Sequence, residues 1–316
     1  MRSTTGSEAS LSVVIVLYTS ADHLPACLAS LDAELHEWRA ELIAVDNASP
    51  DTSRAIVEQM APTATVVSMG TNAGYSAGAN AGIAVAKSRY VLLLNPDLIV
   101  PAGGLQTLVK WMDEHPRISA ATPLLTDGDG RAIPTDLAFA SVGKTLLETA
   151  RLHKFLPRKA RGRILRGQYA PQQEQLDGRW IPGTALILRR SSLASIGGFD
   201  ERLFMYGEDI EWCWRAARKG HRVGVCAATT FVHLSSTSAI RSWGAERTRV
   251  RIETGIHRAY CIIYGRRYAH VLALAMAVAK LLEAAAPNRS PTARRAALGQ
   301  ARAHTRLALD TSASKL

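Results

Sequence analysis

The first hundred residues repeat one unit, and that repeat constrains the fold more than any other feature. A short run too apolar and β-branched to face water is followed by a stretch with helical spacing. The runs are "SVVIVLY" (Ser12 to Tyr18), "ELIAVDN", "ATVVSMG" and "YVLLLN" (Tyr90 to Asn95). After the first, Leu24, Cys27, Leu28, Leu31 and Leu35 share one helical face; Asp51 to Met60 and Ser76 to Lys87 are the next predicted helices. Strands apolar on both faces, alternating with helices, are best buried in a mostly parallel sheet covered on each side, so the predicted class is α/β. Such sheets bind ligands where loops leave the carboxyl ends of strands, which makes the residues after each run the candidates for function.

Beyond Pro101 the rhythm loosens. A helix is expected from Gly104 to Glu114, a turn at "TDGDGR", and a weakly patterned basic segment over 140–175. Order returns at "WIPGTALILRR", a strand, and at "GGFDERLFMYGEDIEWCWRAARKG", a loop and an amphipathic helix stopped by Gly220. Two short strands, "RVGVC" and "TTFVHL", close this part. From Trp243 to about Ala286 the chain reads as helix, and an Ala/Arg-rich tail follows Pro287.

The net charge of +11 is unevenly placed. Residues 241–316 carry +10 and residues 144–166 carry +7, which leaves the rest at −6. An acidic body does not make a basic groove, so nucleic acid is excluded as a partner. The two basic segments suit either an anionic membrane surface or solvated Arg-rich helices. Cys27, Cys213, Cys226 and Cys261 are scattered without a Cys-x-x-Cys pair, the pattern of reduced thiols in a cytoplasmic protein. "MRSTTGSEAS" has no apolar signal core. The apolar run Val271 to Ala279 ends at Lys280, well short of the roughly 20 residues a bilayer span needs, so no crossing is expected.

The polar residues at the expected edge are Asp46, then Asn72, Gly74, Gly78 and Asn80, then Asn95 and Asp97, then Asp209 and His233. Each alone has a structural explanation: a turn or cap for Asp46 and Asn-Pro-Asp, a close-packed helix start for "NAGYSAGANAG", helix-dipole compensation for Glu208 and Asp209. Together they suggest more. A carboxylate and an imidazole at two strand ends, Asp97 and His233, can share one divalent cation and leave positions open for phosphate oxygens. A separate carboxylate, Asp209, can take a proton from an attacking hydroxyl. These are parts for group transfer from a phosphate-activated donor.

On the motifs "VVIVLYTS", "AVDNAS", "NAGYSAGANAG", "LLLNPD", "IPGTALILRR", "GGFDERLFMYGEDIEWCWR" and "VHLSSTS", in that order, residues 11–240 resemble the inverting glycosyltransferases of family 2, with the GT-A fold, and most of all their rhamnosyltransferase-like branch. The resemblance implies a flexible N-terminus over 1–10 and a catalytic domain over 11–240, with a nucleotide-sugar half (11–125) and an acceptor half (126–240). A basic helical extension over 241–316 follows. It implies that Tyr18 and Thr19 line the nucleotide pocket, that Asp46 accepts a hydrogen bond from the base, and that Asn72, Gly74, Asn80 and Asn95 shape the donor side. Asp97 and His233 would hold Mg²⁺ or Mn²⁺, Asp209 would be the general base, and Trp180, Gly183 and Glu208 would face the sugar or acceptor. Asn95 stands where many relatives carry a first Asp, Glu211 where an Asp is frequent, and Thr19 where an Asn is frequent.

The implied donor is a dTDP- or UDP-sugar, plausibly dTDP-rhamnose. The implied acceptor is a cell-envelope polysaccharide or lipid-linked glycan at the inner face of the cytoplasmic membrane. The helix "YAHVLALAMAVAKLL" would then lie on that membrane, or pack within the protein or a homodimer. Two rival readings are an inactive relative that holds a nucleotide sugar as an assembly subunit, and a sugar-phosphate nucleotidyltransferase. The latter needs a Gly-rich basic loop that "VLYTSADHL" lacks.

Overall fold

The computed structural model describes residues 10–38, 40–149, 155–157, 160, 164, 174–234, 244–287 and 290–309. The flexible segment expected over 1–10 falls almost wholly outside these. In chain order the elements are β1 (Leu11–Leu17), α1 (Leu24–Trp38), β2 (Glu41–Asp46), α2 (Ser53–Met60), β3 (Thr65–Ser68), α3 (Tyr75–Val85), β4 (Tyr90–Leu94), β5 (Leu98–Ile99) and α4 (Gly104–Glu114). Then come β6 (Ile118–Asp127), β7 (Ala132–Ile133), α5 (Val142–Thr149), β8 (Gln175–Gly178), β9 (Ala185–Arg189), α6 (Arg190–Ile196), α7 (Glu208–Arg218) and β10 (Arg222–His233). Three helices finish the described chain: α8 (Ala245–Tyr264), α9 (Arg266–Ala285) and α10 (Pro291–Leu309).

The strands form one mixed sheet in the order β3-β2-β1-β4-β9-β6-β10-β5, with β7 on β6 and β8 on β10. Most of its longer ladders are parallel: β1 with β2 and β4, β2 with β3, and β6 with β10. β9 runs antiparallel between β4 and β6. Its first residues therefore meet the carboxyl end of β4, where the Asn95 N–H donates to the Thr184 carbonyl at 3.0 Å.

The alternation of β1 explains the two-sided core. Val13, Ile15 and Leu17 face α1, α2 and α4, while Val14 and Val16 face α3, α6 and α7. α3 lies close enough that a Cβ on Gly82 would stand 2.2 Å from Val14 Cγ1 and one on Gly78 would stand 2.7 Å from Val16 Cγ1. Gly78 and Gly82 of "NAGYSAGANAG" thus serve helix–sheet contact, as the structural explanation for that segment anticipated, while Gly74 approaches the Phe204 carbonyl. A third cluster joins Leu203 and Ile210 to Ala259, Tyr260, Cys261 and Leu272 of α8 and α9.

Three elements differ from the sequence expectation. β6 was not foreseen, because Pro123 interrupts it and proline is excluded from most central strands. The proline is tolerated at an irregularity: its register partner is Cys226, and the next pair is Leu124 with Thr230. The same bulge makes β10 one bent strand where two short ones were expected. The long C-terminal helix is broken at Gly265, whose φ of 83° suits glycine and turns the chain between α8 and α9. α9 is long and apolar enough, at a hydropathy of 1.5 over its best window, to cross a membrane by length and composition. Nevertheless its Ala269, Leu272, Ala273 and Ala277 are buried.

Candidate active site

A cleft of about 410 Å³ opens at the predicted edge of the sheet. Of the residues singled out from sequence, it gathers Tyr18 and Thr19 after β1, Asn72 after β3, and Asn95 and Asp97 after β4. Trp180 and Gly183 join them before β9, with Glu208 and Asp209 at the start of α7 and His233 at the end of β10.

Asp97 and His233 are paired by the short strand β5. Leu98 is in antiparallel register with His233, and the Leu234 N–H donates to the Asp97 carbonyl at 2.9 Å. His233 Nε2 then lies 3.1 Å from Asp97 Oδ2. Asp97 is 8% exposed, and its other oxygen, Oδ1, is sealed without a hydrogen-bond partner among the described residues. A buried carboxylate oxygen without a donor costs desolvation that a cation would repay. An oxygen and an imidazole nitrogen in an open cleft fit Mg²⁺ or Mn²⁺.

The second acidic pair is held differently. Asp209 Oδ2 accepts the Gly183 N–H at 2.9 Å and Oδ1 accepts the Ile210 N–H at 2.8 Å, at the N-terminus of α7. At Glu208 the backbone N–H groups of Glu208 and Tyr206 count for less than burial and the Asp209 charge, and its Oε2 is sealed without a partner among the described residues. Burial pushes both carboxyls up. The Asp209 charge raises Glu208 further, whereas the two N–H groups resist the rise at Asp209. Two adjacent buried carboxyls do not readily carry two charges at once, so Glu208 and Asp209 titrate as one pair. Burial also raises the Tyr206 phenol, and both Glu208 and Asp97 push it further up. Glu211, two residues after Asp209, is occupied elsewhere. Its oxygens accept from Arg215 at 2.9 and 2.8 Å, and that guanidinium also donates to the Ile196 and Gly198 carbonyls.

Three predicted residues do not line the cleft. Asp46 ends β2 and accepts the Ser49 N–H at 2.9 Å, beside the cleft loops. Gly74 contributes its carbonyl, which accepts from Asn47 Nδ2 at 3.1 Å. Asn80 is corrected: it lies inside α3 and clamps the 199–201 loop, donating to the Phe199 carbonyl and Glu201 at 2.9 Å and accepting the Phe199 N–H at 2.8 Å. Its amide is consumed by the protein, as suits a residue facing a packed loop.

Several participants had no individual signal. Asn47 ties Asn72 Oδ1 and Gly74 together and accepts the Ala73 N–H. Asp51 organises the nucleotide-side loops. Burial would raise its pKa, but the Ser53 and Ser49 hydroxyls and the Ala21 and Ser53 N–H groups hold it below the usual range. The hydroxyls of Ser49 and Ser53 in turn accept the N–H groups of Thr19 and Ser20. An Asp flanked by two serines within two residues was the available clue. The Tyr75 hydroxyl donates to the Gly183 carbonyl at 3.3 Å. The described non-glycine residues with positive φ are Thr19, Ala48 and Tyr206, at 51°, 54° and 67°. All sit in or beside the cleft loops, where strained backbone tends to collect.

The largest omission is α8. Thr248, Ile252 and Ile256 form a wall of the cleft, although the sequence assigned them to a separate extension. The contact is close: a Cβ on Gly255 would meet the Tyr206 and Met205 carbonyls at 2.3 and 2.5 Å, and one on Gly207 would meet the Gly255 carbonyl at 2.7 Å. Two glycines let α8 press on the loop that carries Glu208 and Asp209.

Residues 12–195 match the family described as "Glycosyl transferase family 2". Over 221 residues the chain is 31% identical to an N-acetylglucosaminyl-diphospho-decaprenol L-rhamnosyltransferase of Mycobacterium tuberculosis, a match that covers 66% of this chain and 71% of that protein. It is 26% identical to rhamnosyltransferase WbbL of Escherichia coli, over 70% of this chain and 82% of the relative. Among solved structures, the mannosyltransferase PcManGT from Pyrobaculum calidifontis, in complex with GDP-Man and Mn²⁺, aligns with a TM-score of 0.53 at 16% identity. That alignment covers 98% of this chain and 89% of that one, and speaks to the fold.

Proposed function

The chain belongs to glycosyl transferase family 2, in its rhamnosyltransferase-like branch, and from that premise we propose that it transfers a sugar, rhamnose from dTDP-rhamnose, with inversion at the anomeric carbon. The observation that carries the reading is the presence in one cleft of two differently held aspartates, Asp97 beside His233 and Asp209 beside Glu208. Asp209, kept as the charged member of its pair, accepts the proton of an acceptor hydroxyl. The acceptor oxygen bonds to the anomeric carbon as the bond to the diphosphate oxygen breaks, and a nucleotide diphosphate leaves. A divalent cation held by Asp97 and His233 supplies charge neutralisation for that leaving group. Asp46, Tyr18, Thr19 and Asn72 hold the nucleoside side. The Trp180 indole N–H faces the Asp209 carboxylate and favours its charged form. Tyr75 and Asp209 both grip Gly183, which sets the floor of the site.

For the acceptor we take the chemistry printed in the name of the mycobacterial relative, a lipid-diphosphate-linked sugar, and extend it to this chain. α9 supports the extension. Its Val271, Leu274, Val278, Leu281 and Leu282 are 45–57% exposed and recur every three or four residues, an apolar stripe beside a strongly basic segment. We place that stripe on the anionic inner face of the cytoplasmic membrane, with α9 lying on the surface because its other face is packed on the protein. All four cysteines are free and buried, compatible with a reducing compartment.

The test is a panel of nucleotide sugars with Mg²⁺ or Mn²⁺, read by nucleotide diphosphate release and by thermal shift. Stabilisation and turnover with dTDP-rhamnose, absent with UDP- and GDP-sugars, are expected; turnover with a UDP-sugar alone overturns the donor assignment. A chain that merely holds the donor would show the thermal shift without any release.

A further inference from the structure

We propose that the C-terminal helices hold a zinc ion between His257, Cys261 and His270. His257 and Cys261 are four residues apart on α8 and so share one face. The break at Gly265 folds α9 back against it, which brings in His270. One ligand atom from each of the three lies within 4.8 Å of the others. His257 Nε2 is 3.5 Å from Cys261 Sγ. With Zn–N near 2.0–2.1 Å and Zn–S near 2.3 Å, the nitrogen–sulfur edge of a zinc tetrahedron is about 3.6 Å. The two imidazole rings are stacked at 7° with centroids 5.5 Å apart, so one ring turns about its side-chain torsion when both nitrogens meet one ion.

A thiol-to-imidazole hydrogen bond would account for His257 and Cys261 but not for the third member. His270 Nε2 is sealed from solvent without a partner among the described residues. A buried nitrogen of this kind normally finds a donor, acceptor or ion. Two imidazoles and a thiolate select zinc over the oxygen-loving ions suited to Asp97. Glu253, one turn before His257 on the same face, also has a sealed oxygen, Oε2, and burial pushes its carboxyl up. Glu253 and His257 both line a second cavity of about 720 Å³, which offers an entry path and room for a fourth ligand. The ion would staple α8 to α9, and the adjoining face of α8 carries the Thr248, Ile252 and Ile256 wall of the cleft.

The experiment uses the full chain, stripped with chelator, dialysed and titrated with Co²⁺ and then Zn²⁺. One equivalent of Co²⁺ should produce a thiolate-to-cobalt charge-transfer band that Zn²⁺ bleaches, and Zn²⁺ should raise the Tm by about 5 °C. The band and the Tm rise should vanish in Cys261→Ser, affinity should fall at least about 10-fold in His270→Ala, and both signals should persist in Asp97→Asn. Absence of the band from the wild-type chain, or its survival in Cys261→Ser, overturns the site. The wild-type readout needs no variant to fold.

Discussion

A carboxylate–imidazole pair and a pair of carboxyls line one cleft, and protein chemistry treats their aspartates in opposite ways. Asp97 has an imidazole on one oxygen and, among the described residues, no donor on the other, so its charge is left for a ligand to balance. Asp209 has backbone N–H groups on both oxygens, so its charge is stabilised from within, while that same charge pushes the neighbouring Glu208 carboxyl up. The difference teaches how a cleft can keep one carboxylate as a cation holder and another as a base. The number and kind of fixed donors decide what each can do.

The comparison breaks most sharply at Asp209. Asp209→Asn should lower kcat by about 10³-fold, within the range for general-base removal, while the nucleotide-diphosphate thermal shift stays near wild type. Equal turnover would remove the base from this position. Asp97→Asn should cost about 100-fold in activity and should also weaken the metal-dependent thermal shift with nucleotide diphosphate, the effect that Asp209→Asn must not show. Parallel behaviour of the two variants in both assays would mean that the pairs do not differ in role.

Glu208 sharpens the distinction through pH. Its folded pKa is raised, so the stability tied to its protonated form is complete below the unfolded carboxylate pKa and is lost as pH rises through the folded value. Between the unfolded value and the folded value of about 8 the wild-type chain should lose up to about 1.4 kcal/mol of stability per pH unit, with no further loss above it. Glu208→Gln should flatten this limb in chemical denaturation across pH 5 to 9. The smallest effect is expected outside the cleft. Asn80→Ala removes a three-bond clamp and should cost about 1–2 kcal/mol of stability with no change in donor KM.

Much of this was readable because the strongest signals are local. The runs that became β1 to β4 are apolar on both faces, and Leu24, Cys27, Leu28 and Leu31 were assigned to one face and are buried there. Asp97, Asp209 and His233 could be picked out because each stands at the end of a strongly patterned element. Residues that act through a network left no comparable mark. Asn47 and Asp51 look like turn residues in sequence, and their roles lie in which N–H groups reach them. Asn80 failed for the converse reason: a polar residue in a glycine-rich segment looks available until the loop at 199–201 folds onto it.

The sequence by itself determined the alternation of strand and helix, the edge of the sheet where function collects, and the identity of the groups placed there. Those follow from side-chain period and backbone geometry over a few residues. The tertiary structure alone decided that β5 aligns Leu98 with His233 and so sets Asp97 beside it across 136 residues of chain. It also decided that Gly183 reaches Asp209 and that α8 closes the cleft through Gly255. These depend on long-range register and on close backbone approach, which residue pattern along one segment does not encode.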